Sequence, residues 1–330
     1  MGTANDGQGR RAASALLVMV LTALVASSCA PGPATAPAVP VPARVVTTPG
    51  DGTADVNPAA PVAATALGGF LTGVALTADD GTVVPVTARA GRSWAPTAPL
   101  AYDRTYRWSG TAVATDGATT PITSSFRTLA PRQTLRASFS YADGARLGVA
   151  APVILQFDGV VPDKVAAQRA LSLTTSTPQE GAWAWLPDTA EGSRVHYRPK
   201  EYWKPGTVVD VAARLVGVDL GDGVYGAADV SNHVTIDRSL VARADLAAGR
   251  FSVVRDGRTV LDVPAAYGRT DDLNLVTRGG PHVVSAKSPT AFLSNPAYNY
   301  ANVYVRWAVR LNNNGEFTHN NPAADRKSVV

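Results

Sequence analysis

The sequence has 330 residues, 45% of them hydrophobic, and 30 Lys and Arg against 26 Asp and Glu leave a net charge of +4. That length suggests two or three domains, and the small charge, carried by basic residues that are scattered rather than striped, gives no electrostatic footprint for nucleic acid. A single cysteine, Cys29, excludes a disulfide framework or a thiolate metal centre, and four histidines (His196, His233, His282, His319) without an HExxH-like pair give no metal site, so no cofactor is expected.

Residues 1–29 read as an export signal. Arg10 and Arg11 form a charged head, and Ala12 to Ala26 form an apolar run too short for a comfortable transmembrane span. The run ends in Ala26-Ser27-Ser28-Cys29, which resembles a bacterial lipobox, although Ala26 stands where leucine is commoner. That resemblance implies lipid attachment at Cys29 and a mature protein anchored to the outer face of the cytoplasmic membrane, within the wall. The alternative is an ordinary signal peptide cleaved nearby, with Cys29 incidental. Residues 30–52 alternate proline with small residues, a composition that favours polyproline II and reads as a stalk or a plain disordered tail.

From 53 to 130, short apolar segments separated by Gly, Asp and Pro predict an all-β module. Asp80-Gly81 and Asp116-Gly117 lie between strand-like runs and supply the positive φ that tight hairpins need, while Trp94 and Trp108 are expected to fill its core. From 131 to 236 a second β-rich module is expected. In it Val209, Val211, Ala213 and Leu215 alternate with more polar neighbours. Asp163 is placed as N-cap of a short helix, KVAAQRALSL, with Ala167, Ala170 and Leu171 on one face. Trp183, Trp185, Tyr197, Tyr202 and Trp203 concentrate in one region. An exposed aromatic cluster there could grip sugar rings, but Arg198, Lys200 and Lys204 between them suit a core edge covered by long basic side chains, which is the favoured reading.

From 237 to 330, FSVVR and RTVLDV flank the turn Asp256-Gly257, and WAVRL and EFTH flank a turn centred on Asn314-Gly315. Between these hairpins, TRGGPHVVSAK and SPTAFLSNPAYNYANVYV read as loop-rich.

RDGRTVLDVPAAYG, TRGGPHVVSAK, SNPAYNYANV and WAVRLNNNGEFTHNNP resemble the first two thirds of an L,D-transpeptidase catalytic domain of the exported actinobacterial type. GAWAW, HYRPKEYWKPGT and GDGVYG resemble the immunoglobulin-like module that precedes that domain, and residues 53–130 resemble the module before it. The expected fold is therefore all-β: two immunoglobulin-like β-sandwich modules followed by an incomplete L,D-transpeptidase β-sandwich catalytic domain. Such enzymes join peptidoglycan stem peptides by cysteine acyl transfer, and the family is acylated by β-lactams of the carbapenem class. By this resemblance His319 matches the family's upstream catalytic histidine, Asn320 falls with it at the substrate cleft, and Tyr298 and Tyr300 match the flap over that cleft. The bland readings are a hydrogen-bonded surface histidine and loop packing. After Asn320-Asn321-Pro322 the chain reads AADRKSVV, without the family's Ser-His-Gly-Cys. The expectation is thus a truncated transpeptidase, inactive as given for want of its nucleophile, with a non-catalytic wall-binding or scaffold lipoprotein as the alternative.

Overall fold

The computed structural model describes residues 43–268, 279–295, 300–311 and 316–320. Cys29, Tyr298 and the Asn314-Gly315 turn lie outside the described residues. Their regular secondary structure is all strand apart from one short helix.

The first module is two sheets over one core. One sheet runs in the order Arg44–Thr48, Ala63–Leu67, Ser93–Pro96, Val86–Arg89; the other is built on Thr53–Val56, Ser124–Thr128, Thr105–Ala114, Gly69–Ala78 and Val83–Val84. Arg44–Thr48 corrects the reading of residues 30–52 as a stalk. Its RVVTT sequence is β-branched, it pairs antiparallel with Ala63–Leu67, and Ala43 just before it is buried in the core. Trp108, 2% exposed, sits in that core with Phe126 and Leu76, and Trp94 packs against it, as the sequence suggested. Both Asp-Gly turns are hairpins. Gly81 and Gly117 take φ of +87°, each donates its N–H to the carbonyl three residues back, and only the glycine, not the Asp, is left-handed. This is a type I turn followed by a glycine bulge.

The second module pairs the sheet Ala137–Phe139, Val153–Phe157, Arg194–Pro199, Gly181–Trp185 with the sheet Ala145–Leu147, Val230–Ile236, Val208–Ala213, Leu171–Thr175. Val209, Val211, Ala213 and Leu215 are all buried, so the two-residue period points inward as expected. The helix is shorter than its sequence pattern: it spans Lys164–Arg169, and Leu171 already begins a strand. Asp163 does cap it, accepting from Val165 N and Ala166 N. The aromatic cluster is mostly structural. Trp203 is 1% exposed and donates from Nε1 to Ala151 O at 2.8 Å; Tyr197 stacks on it, and Trp183 meets Tyr197 edge-on at 5.3 Å. Only Tyr202 stands out of the cluster into solvent.

The two sandwiches are clasped through backbone. Tyr102 Oη donates to Gly226 O at 2.9 Å and accepts from Gly217 N at 2.7 Å, while Asn57 Nδ2 donates to Gly217 O at 2.7 Å. After the second module, Asp237 N donates to Leu147 O, the Asp237 carboxylate pairs with Arg146 and Arg238, and Val241 packs against the second module's core.

The remaining residues form two three-stranded antiparallel sheets: Leu240–Asp245, Arg250–Arg255, Arg258–Pro264, and Ala286–Asn295, Tyr300–Arg310, Phe317–Asn320. Asp256 and Gly257 both have positive φ, a two-residue turn of type I′. The stretch SPTAFLSN read as loop-rich is instead a strand. The pairing continues in one register on either side of Pro289, with Ser288 opposite Ala308 and Thr290 opposite Arg306, and shifts only between Leu293 and Asn295.

Candidate active site

The residues that resemblance assigned to chemistry lie on the last three-stranded sheet. Phe317–Asn320 pairs antiparallel with Tyr300–Arg310, with Asn320 opposite Arg306, Thr318 opposite Val309 and Phe317 opposite Arg310. Asn320 Oδ1 accepts from Arg306 N at 3.2 Å, so the side chain completes a ladder that the strand's end leaves open. His319, half-buried, places Nδ1 3.0 Å from Asn320 O. A ring nitrogen held to a carbonyl oxygen carries the proton, which leaves Nε2 of a neutral imidazole as the free acceptor.

Between Arg306 and Val309 the pairing shifts register, and Trp307 adopts φ +58° inside the strand. A bulky residue there is an outlier that costs on the order of 1–3 kcal/mol. The consequence is local: the indole is 60% exposed with the Arg306 guanidinium 5.7 Å from its ring centre, while Val305 and Ala308 remain buried. Neither Arg306 nor Trp307 was singled out in the sequence, and the signal that could have found them is the adjacent cation and aromatic two strand-lengths from the histidine.

The hairpin of Ala286–Asn295 and Tyr300–Arg310 runs on past the third strand, whose pairing ends at Arg306. Residues 291–295 and 300–305 therefore form a two-stranded ribbon. Phe292 and Tyr304, directly opposite each other, put their rings 5.5 Å apart, and both are exposed. Tyr300 pairs with Asn295 near the tip, roughly 20 Å along the strand from Arg306 at about 3.3 Å per residue. The structure brings His319, Asn320 and Arg306 together and leaves the Tyr300 backbone on the projecting ribbon.

His196 is not at a strand end. It lies mid-strand and half-buried, and burial, followed by the nearby Arg194 and Arg198, holds its pKa below the ordinary value.

The paired sandwiches, with their separate cores and hairpin-linked strands, define an immunoglobulin-like modular chain, and a family model described as a bacterial Ig domain matches residues 53–219. The chain is 48% identical over 280 residues to L,D-transpeptidase 5 of Mycobacterium tuberculosis, an alignment covering 84% of this chain and 62% of that protein. It is 34% identical over 282 residues to L,D-transpeptidase 2 of the same organism, covering 82% of this chain and 67% of that protein. The chain belongs to the L,D-transpeptidase family. It spans about three fifths of the length of L,D-transpeptidase 5. A solved structure of an LD transpeptidase in complex with imipenem aligns at 24% identity and a TM-score of 0.49, covering 61% of this chain and 88% of that one.

Proposed function

We propose that this chain belongs to the peptidoglycan cross-linking machinery: two immunoglobulin-like modules carry the opening strands of an L,D-transpeptidase domain, and the chain is exported and tethered through Cys29. The observation that carries this reading is the 48% identity to L,D-transpeptidase 5 across 84% of the chain. In the proposed reaction a cysteine thiolate attacks the carbonyl carbon of the third stem residue. The amine of D-alanine leaves with a proton from the histidine, and the thioester is opened by the acceptor's side-chain amine, which returns a proton to that histidine. His319, with Nδ1 on a backbone carbonyl and Nε2 free, suits the proton-carrying role. The ribbon of residues 291–295 and 300–305, which includes Tyr300, suits a flap that excludes water and favours aminolysis over hydrolysis.

Cys29 is the only thiol in these 330 residues, and its place in the lipobox-like segment reserves it for lipid. A polypeptide of this sequence is therefore expected to show no mass increase after exposure to a carbapenem and to release no D-alanine from a tetrapeptide stem. Intact-mass spectrometry decides it: a covalent adduct mapped to residues 237–330 overturns the assignment of a cysteine nucleophile. The same null result with retained binding to wall material fits the second reading, a scaffold lipoprotein, which the closed cores of both sandwiches favour. For the anchor, Cys29→Ala is expected to move the protein from the membrane to the soluble fraction, and unchanged retention, with no lipid label on the parent, refutes it.

A further inference from the structure

The strand Arg194–Pro199 lies inside its sheet, between Val153–Phe157 and Gly181–Trp185. Val195 and Tyr197 pack into the second module's cores, so the pleat turns Arg194, His196 and Arg198 to the opposite, outer face in a row about 7 Å apart. Their paired neighbours on that face are Gln156, Ile154, Ala184 and Ala182, none of them acidic. Arg194 Nε donates to the neutral Gln156 Oε1 at 2.6 Å, and among the described residues neither Arg194 nor Arg198 forms an ion pair.

Acids near the row are engaged elsewhere. At one end Glu180 pairs with Lys200 at 3.5 Å. At the other, Asp158 accepts from Arg136 N, and Glu191, although within the field of Arg194, is held first by Thr189. His196 Nε2 is buried with no hydrogen-bond partner, and the charges acting on this ring are those of Arg194 and Arg198, with no carboxylate offsetting them. Two guanidiniums thus flank a neutral imidazole on a sheet face whose paired neighbours Ala182 and Ala184 are small.

We propose that this outer face is a docking surface for carboxylate-bearing wall polymer, peptidoglycan itself, separate from the His319 region. The proposal rests on the wall-facing reading above. Its basis is charge complementarity and spacing. An extended peptide lying along the strand presents same-side groups about every 7 Å, the repeat of the row, and guanidinium receives a carboxylate by paired parallel hydrogen bonds. Beyond Arg198 the next cation, Lys200, is paired with Glu180, so the row offers two unpaired guanidiniums, too few for a phosphate polymer.

The probe is purified insoluble peptidoglycan in a sedimentation assay with the full chain, alongside the same material with its carboxyls amidated and chitin as an uncharged glycan. Arg198→Glu, at an exposed position, is expected to weaken binding to native peptidoglycan roughly five- to tenfold and to flatten its salt dependence, as amidation should for the parent. Arg194→Glu should do the same, with Arg198→Glu as the safeguard if losing the Gln156 bond disturbs folding. Arg89→Glu, on the first module, is the control and should bind like the parent. Equal binding of the Arg198→Glu chain, equal binding to amidated material or to chitin, or an equal loss in the control overturns the proposal. None of these outcomes depends on acyl transfer, so they are distinguishable from failure of the catalytic reading.

Discussion

At the scale of single residues, Gly217 shows how a joint between modules can hang on the absence of one carbon. Its φ is +79°, and a Cβ built there would lie 2.0 Å from Asn57 Oδ1 and 3.0 Å from Ala59 Cβ. Gly217→Ala therefore meets two penalties: about 1 kcal/mol for a left-handed non-glycine, and about 1–3 kcal/mol for hydrogen bonds that Asn57 must give up to move aside. The expected result is a loss of about 2–4 kcal/mol in denaturant unfolding, together with faster amide exchange at Gly217, whose N–H is held by Tyr102 Oη. A variant with parental stability and exchange would show that the clasp contributes nothing. Nothing in the sequence marks Gly217 apart from the glycines of ordinary turns, because the contact that demands it comes from a residue 160 positions away. Trp108 and Trp203 were legible as core, since a large apolar ring between strands has few other places to go. His196 was not, because whether a polar mid-strand residue faces core or solvent depends on the phase of its neighbours, and here the alternation turns it outward among cations.

Elements divide by how local their causes are. The Asp-Gly turns needed only their own backbone, and each is a hairpin. The helix needed only its cap to start, and Asp163 supplies it; its end was misjudged because Leu171 suits a helix face as well as the edge strand that Val208–Ala213 recruits. The strand Ala286–Asn295 was hidden by Pro289, which ordinarily argues against a paired strand. The register nevertheless runs on across it, Ser288 opposite Ala308 and Thr290 opposite Arg306, a pairing that a one-dimensional reading does not reveal. The candidate site shows the same division. His319 and Asn320 were legible through a motif-like segment, whereas Arg306 joined them only when pairing brought its N–H to Asn320 Oδ1. The ribbon of residues 291–295 and 300–305 is the least supported element around the site. A two-stranded hairpin alone is marginal in water, which suits a part proposed to open and close.

For the whole molecule, the question is what holds successive units in line. The first joint is neutral, made by Tyr102, Asn57 and backbone at Gly217 and Gly226. The second is ionic. At the exit from the second module, the Asp237 carboxylate receives Arg146 and Arg238, and its amide is bonded to Leu147 O. The hydrogen bond from Arg146, then the charges of Arg146 and Arg238, hold the Asp237 pKa below its ordinary value of 3.8. A carboxylate depressed in the folded state adds its stabilisation in full above about pH 4 to 5, and that contribution disappears as pH falls below 3.8 through the folded value. The neutral joint has no such dependence, so acid should loosen the second joint before the first. Asp237→Asn removes the charge at pH 7 and should reproduce the acid state there. The expected outcome is severalfold faster tryptic cleavage after Arg238, with thermal unfolding of the two sandwiches little changed. In the parent, exchange at the Asp237 amide, corrected for its intrinsic pH dependence, should rise below about pH 4. In the Asn variant it should already be raised at neutral pH and should not rise further. Equal cleavage of the two proteins at pH 7, or an acid response that survives the substitution, would assign the joint to the packing of Val241 on the second module's core rather than to its ion pairs.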